Sequence, residues 1–452
     1  MISFFRCGST LPFDVKMFAM NALLIKNGRL LDPASGRDET TSILLQDGRV
    51  ACFGAEADSQ AGDADVIDAK GLLVAPGFID IHTHLREPGR EDKETIYTGT
   101  RAAAAGGYTT VCPIPNTDPV IDTQTGLKFV LSRAESDAVV NVMPFAAVTR
   151  GQKGEEIVEF GDLVYYGARG FTDDGHPIMN SEIMRRALEY SAMFDVPILD
   201  HCEDAALADG GSMHEGHVST KLGLKGIPAV AESLQVARDV ELAAFTGGHI
   251  HIMHVSKEVS LHHVRAGKAR GVKVTCEVTP HHLTLTDDEL ADFNTCAKVN
   301  PCLGASDDRE ALIEALLNGT IDCIATDHAP HTDIEKDQPI TDAPFGMIGL
   351  ETAFAVLYTE LVLPGRVPLE LIIEKMTSAP AKVLHFEPRG TLAPGAPADV
   401  VLIDLDRKWE VTRDGFLSKS KNSPYVGRQL QGGIEATIVG GRVVYRDGRI
   451  VV

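Results

Sequence analysis

The sequence predicts an α/β protein: a (β/α)8 TIM-like barrel carrying a small β-sandwich domain built from both chain ends. Three observations carry that prediction. Short β-rich runs, separated by Asn-Gly and Asp-Gly turn signals, occupy residues 22–75, and a second set occupies residues 395–452. Between them, over residues 76–394, apolar β-branched runs alternate with helix-forming segments, as parallel strands and their crossovers do. Neither terminal stretch offers enough strands to cover a core alone, so the two are expected to share one. A doubly wound open sheet is the competing arrangement.

In chain order, residues 1–21 lack a cationic stretch followed by a continuous apolar core, so they are read as a disordered N-terminal extension and not as a secretory signal. Met1, Met17 and Met20 are alternative starts. Strands are expected over 22–25, 42–46 and 49–53, with turns at Asn27-Gly28 and Asp47-Gly48. The barrel strands should end near His84, Pro113, Val148, Phe171, His201, Val255, Val278 and Thr326. Helices are expected over 122–135, 180–194, 229–245 and 307–317. The closing strands fall at 399–403, 436–439 and 442–445, with turns at Gly440-Gly441 and Asp447-Gly448. Gly106-Gly107 lies in a run without G-K-[ST], so no phosphate loop is expected there.

Composition removes whole classes of function. With 42 Lys+Arg against 64 Asp+Glu the formal charge is −22, which argues against a nucleic-acid binder and a polybasic membrane-surface protein. No apolar run approaches the roughly 18 residues of a membrane span. The 8 cysteines are scattered and form no C-x-x-C pair, the usage of reduced thiols in a cytoplasmic protein.

The sharpest chemical signal is Asp80-Ile81-His82-Thr83-His84. Residues two apart on a strand point the same way, so His82 and His84 present two imidazoles to one side, half of a metal site. Asp80 shares their parity and is placed to orient a ring from behind. Later strand ends add candidates: Phe171-Thr172-Asp173-Asp174-Gly175, Asp200-His201-Cys202-Glu203-Asp204, the run 249–256 with His254, and Ala325-Thr326-Asp327-His328. Barrel active sites occupy that face. Carboxylates mixed with imidazoles suit Zn²⁺, with Mn²⁺, Co²⁺ or Fe²⁺ admissible, and more than four donors suggest two ions. His249 and His251 have the opposite parity to His254 and read as core residues.

The segments PGFIDIHTHLREPG (76–89) and ATDHAPHTDIEK (325–336) resemble the dihydroorotases of the amidohydrolase superfamily, in the bacterial class whose metal bridge is an aspartate. Ala343-Pro344-Phe345-Gly346 and Gly349-Leu350-Glu351-Thr352 strengthen the resemblance, which runs from about residue 22 onward. It implies two Zn²⁺ per subunit and reversible cyclisation of N-carbamoyl-L-aspartate to L-dihydroorotate in de novo pyrimidine (UMP) biosynthesis. Carried over by motif, His82, His84 and Asp327 hold one ion and His201 and His254 the other. The bridge aligns best with Asp174, with Asp173 as the alternative, and Asp327 is the catalytic proton carrier. His84, Arg86, Asn116, Asn300 and His331, with the backbone of Phe345 and Gly346, bind substrate. The substrate is anionic, so the ions together with Arg86 and His331 must make a positive pocket inside an acidic shell.

Two departures stand out. The family's N-P-P-L-R is here Asn300-Pro301-Cys302-Leu303-Gly304, and Thr83 replaces an aliphatic residue. Hydantoin-cleaving relatives use a carboxylated lysine as bridge, but Thr172 follows Phe171 here. The alternatives are therefore a related cyclic amidase (an allantoinase or dihydropyrimidinase), or an inactive structural homologue partnering aspartate transcarbamoylase. A homo-oligomer, a dimer, is expected, with a transcarbamoylase complex as a further association. Residues 333–342 are the expected mobile loop over the site.

Overall fold

Eight short parallel strand segments close on themselves in the computed structural model, which describes residues 22–452. The expected extension at 1–21 lies outside the described residues. The first barrel strand, Phe78–Thr83, pairs with Tyr108–Pro113, which pairs with Asn141–Val142. The third strand's continuation bridges Ala146 to Phe171, and Phe171 bridges Ile198. Ile198–Asp200, Ile250–Ile252, Val274–Val278 and Cys323–Ile324 follow in register, and a bridge from His328 to Thr83 completes the circuit. Closure removes both sheet edges, so the open doubly wound arrangement is excluded.

Parallel strands covered by helices outside and side chains inside should be buried on both faces, and all of Phe78–Thr83 and Tyr108–Pro113 is buried. Ile79, Ile81, Cys112, Phe145, Leu199 and Cys323 form one cluster with Ala379, Ala381 and Val383 of the helix Ser378–Val383. The fourth position is the thinnest. Only Phe171 pairs there, and its ring stacks on Phe160 at 3.7 Å between centroids. The observed helices Gln124–Asp137, Ser181–Ala192, Val230–Thr246 and Ser306–Leu317 lie within two residues of the expected bounds. Thr123 and Asn180 cap the first two, each side chain accepting from an otherwise unpaired N–H.

Strands from both chain ends form a single nine-stranded sheet. Leu73–Pro76 lies at its junction, parallel to Leu23–Asp32 and antiparallel to Val400–Glu410, with Pro76 opposite Val400. The far edge, Arg49–Phe53, hydrogen-bonds back to the chain at 395–396 (Val50 N to Ala396 O 2.9 Å, Gly395 N to Val50 O 2.8 Å). The sheet thus curls over one core that holds Leu23, Ile25, Val74, Val400, Leu402 and Ile438. Between Val400–Glu410 and Gln429–Val439 the chain leaves the sheet, and residues 418–422 bond to barrel segments. Among the described residues no helix is long and apolar enough to cross a membrane.

The helix Ile96–Ala105 ends at Gly106, where the chain lies close against the loop at Leu350. A Cβ on Gly106 would stand 2.1 Å from the Leu350 carbonyl oxygen, a backbone atom with no rotamer to yield. Gly106→Ala should therefore destabilise the protein by about 1–3 kcal/mol. The denaturant midpoint reads this directly, and an unchanged midpoint would show that the Leu350 loop moves freely.

Candidate functional site

Four imidazoles and two carboxylates converge where the barrel strands end. The Asp174 carboxylate is central: Oδ1 lies 3.7 Å from His82 Nε2, 3.4 Å from His201 Nδ1 and 3.6 Å from His254 Nε2, while Oδ2 lies 3.5 Å from His84 Nε2. Asp327 Oδ1 closes the other side, 3.0 Å from His84 Nε2 and 3.4 Å from His82 Nε2. His201 Nδ1 and His254 Nε2 stand 3.0 Å apart. All six residues are buried. Local backbone aims two of them: His254 and Asp327 have φ of 29° and 48°, the left-handed region, at about 1–3 kcal/mol each.

Asp173 is not part of this group. Its carboxylate accepts from Val148 N (2.8 Å) and Thr149 N (3.1 Å) and from the Thr149 hydroxyl, so it ties the third strand to the fourth. Thr172 turns its hydroxyl to Met253 Sδ (3.4 Å). Of the two aspartates at this strand end, Asp174 alone faces the histidines.

The donors have the spacing of metal ligands. Two atoms bound at about 2.0–2.1 Å to one tetrahedral ion stand roughly 3.4 Å apart, the separation seen here. His82 Nε2 is buried without a hydrogen-bond partner although it faces two carboxylates. Electrostatics agrees. Burial opposes charge on His82, yet Asp327, Glu277 and Asp174 outweigh it and hold the imidazole well above its ordinary pKa. Against the same burial, Asp174 holds His201 at about 9, and His82, His201 and His254 hold Asp174 well below the carboxylate range. The cluster demands positive charge, which divalent ions would supply.

Behind the cluster, the ring of His82 is oriented by Glu277, which sequence reasoning missed. Nδ1 donates to Glu277 Oε1 at 2.6 Å, and Oε2 lies 3.2 Å from His251 Nε2. Asp80, the expected orienting group, instead accepts from Thr326 N (3.1 Å) and Oγ1 (2.5 Å) and from His82 N (3.1 Å), because its carboxylate turns sideways to the neighbouring strand. His251 and His249 share the Thr275 hydroxyl, each at 2.8 Å, in the supporting layer their parity predicts. A charged residue inside the otherwise uncharged strand run Val274–Val278 was the available signal for Glu277.

The remaining residues ring this centre. Asn116 Oδ1 accepts from His84 Nδ1 at 3.1 Å, and Asn300 Nδ2 lies 3.4 Å from His201 Nε2 and donates to Glu203 at 3.3 Å. The altered stretch after Asn300 is well held: Lys257 Nζ donates to Cys302 O (2.9 Å) and His282 Nε2 to Pro301 O (3.0 Å). Arg86 is buried at φ 61°, its Nε donating to Pro330 O (3.2 Å) and its Nη2 3.3 Å from His331 Nε2. Gly346 has φ 130° and lies so close to Ala329 that a Cβ would meet its Cβ at 2.8 Å. Phe345 lies under Lys298 Nζ, 4.4 Å from the ring centre.

Two expectations change. His331 does not supply positive charge: burial, with Arg86, Lys336 and Lys93 nearby, pushes its pKa far down and keeps the ring neutral. Lys93, whose Nζ is 3.5 Å from His331 Nδ1, is paired with Glu335 at 2.5 Å, whereas Arg86 has no carboxylate partner among the described residues. The segment 333–342 is pinned. Lys336 Nζ donates to Thr295 O (2.9 Å) and Pro344 O (2.7 Å), and Lys298 Nζ to Ile340 O and Ala343 O (both 2.6 Å).

Known proteins share this architecture. A family model described as Dihydro-orotase-like matches residues 71–260, and one described as Amidohydrolase family matches residues 244–445. The dihydroorotase of Pelotomaculum thermopropionicum is 53% identical over 426 residues, covering 94% of this chain and 99% of its own. That of Geobacter metallireducens is 49% identical over 424 residues, covering 94% and 99%. Among solved structures, the L-hydantoinase of Arthrobacter aurescens matches with a TM-score of 0.87 at 27% identity, covering 96% of this chain and 98% of its own.

Glu277→Gln keeps the shape of the residue but removes the charge that holds His82. Affinity for divalent ions should fall by about 10–100-fold, measured by chelator competition. Retention equal to the parent's would assign Glu277 to packing alone.

Proposed function

The chain belongs to the dihydroorotase family, and from that premise we propose that it cyclises N-carbamoyl-L-aspartate reversibly to L-dihydroorotate in pyrimidine biosynthesis. The observation that carries this reading is the buried Arg86 beside the imidazole–carboxylate cluster, close enough to be influenced by both Asp327 and Asp174. A neutral cyclic amide needs no such cation. A substrate carboxylate does, and a guanidinium fork binds it in two places at once. His331, neutral beside Arg86, adds a hydrogen bond. Asn116, Asn300 and the backbone at Phe345 and Gly346 orient the ring and its carbamoyl portion.

On this reading His82, His84 and Asp327 would hold one divalent ion and His201 and His254 a second, with Asp174 between them. Zn²⁺ fits this mixed nitrogen and oxygen set. When bound, such ions supply Lewis acidity to the amide carbonyl and to water. Asp327 moves the proton: in hydrolysis it takes one from the attacking water and delivers it to the ring nitrogen that leaves. In the biosynthetic direction the same carboxylate accepts the proton of the carbamoyl nitrogen as it closes on the carboxyl carbon. It returns that proton to the carboxyl oxygen whose C–O bond breaks, which leaves as hydroxide and takes a solvent proton to become water. The free cysteines among the described residues fit a reducing cytoplasm.

A second reading, a cyclic amidase for neutral rings, is favoured only by the likeness to the hydantoinase. Assays of dihydroorotate, allantoin and dihydrouracil side by side should show turnover of dihydroorotate, and hydrolysis of allantoin alone would overturn the assignment. Asp327→Asn should lower kcat by about 100- to 10,000-fold. A variant within about tenfold of the parent would remove the proton-transfer role.

A further inference from the structure

Asn422 belongs to the excursion that leaves the sheet, far in sequence from every residue of the site. Its side chain is buried, and all its bonds go to the chain beyond the eighth barrel strand. Oδ1 accepts from His331 N at 3.1 Å, and Nδ2 donates to Ala329 O and Gly346 O, each at 3.1 Å. Its own carbonyl accepts from Ile348 N at 3.0 Å. One amide thus ties together the segment that carries His331 and the segment that carries Gly346.

The consequence reaches Arg86 through a single peptide. The Pro330–His331 unit is planar, so its N–H and C=O turn together. Asn422 holds the N–H, and the C=O receives Arg86 Nε at 3.2 Å. The excursion has its own anchors on the barrel. Lys419 N (3.1 Å) and the Ser418 hydroxyl donate to the buried Glu94 carboxylate, and Ser420 Oγ donates to Lys93 O at 2.7 Å. Asn422 is therefore a fixed post and not a mobile contact.

We propose that Asn422 is a positioning residue for recognition of the substrate carboxylate, orienting Arg86 and His331 through the Pro330–His331 peptide. The inference rests on reading Arg86 as the carboxylate clamp. Asn422→Ala strands one N–H and two carbonyls and frees the peptide to rotate. Asn422→Asp keeps the shape and the acceptor for His331 N but sets an oxygen against the Ala329 and Gly346 carbonyls.

The test uses metal-loaded, full-length enzyme as parent, N422A and N422D, with melting temperature and metal content measured on each. KM for dihydroorotate should rise by about tenfold or more, with kcat within about threefold of the parent and metal content unchanged. Affinity for orotate, which keeps the carboxylate, should fall in step, and by at least about fivefold more than that for uracil, which lacks it and meets only the ring contacts at Gly346. A folded variant whose KM and orotate affinity stay within about twofold of the parent overturns the proposal. So does a parallel loss of orotate and uracil binding, which would mark a merely structural role. If N422A does not fold, N422D alone decides between these outcomes. A parent inactive on dihydroorotate would defeat the functional reading instead, and the orotate–uracil difference would still judge Asn422.

Discussion

Two carboxylates buried at the mouth of a closed barrel cannot stand there without positive charge beside them, and the rest of the site answers to that constraint. Asp174 and Asp327 lie among four imidazoles whose nitrogens are turned inward. In a medium of low polarity the unbalanced charge would be expensive, so the arrangement is stable only with cations, whether protons or metal ions. The surrounding structure keeps the donors aimed. Glu277 holds His82 from behind, Asn116 holds His84, and His254 and Asp327 sit in strained backbone that surrounding packing maintains.

The charge of −22 is a sum over the whole chain, to which buried carboxylates contribute as well as surface acids. Screening over about 10 Å limits what distant surface acids do at the mouth. Nearby charges matter more, and there Arg86 and the Lys93–Glu335 ion pair flank His331, so Arg86 is the cation without a carboxylate partner among the described residues. On the proposed reading, a ring that carries no charge would add direction to the pocket without competing with Arg86 for the carboxylate.

Much of this was legible in the sequence, because alternation along a strand is a strong geometric rule. His82 and His84 share a side by parity, and His201, His254 and Asp327 fall at the ends of runs that must be parallel strands. The choice of Asp174 over Asp173 was open, since neighbouring residues differ only in which way the chain turns after Phe171. Asp80 was misjudged for a related reason: parity gives a side of the sheet but not the hydrogen bond a side chain chooses, and the Thr326 backbone and hydroxyl claimed it. Asn422 was invisible. Its stretch, Ser418-Lys419-Ser420-Lys421-Asn422-Ser423, reads as an ordinary polar loop, and its partners lie on another part of the chain.

The shared sheet ties the two ends of the polypeptide together in time as well as in space. Pro76, the residue that leads into the first barrel strand, has Val400 as its antiparallel partner, and Val50 bonds with Gly395 and Ala396. A ribosome delivers the first of each pair long before the second. The early strands must therefore wait, with one edge unsatisfied, while the whole barrel is made. Their pairing is non-local, the slow kind. The excursion with Asn422 is delivered later than every barrel segment it bonds to, so those contacts are among the last that synthesis allows.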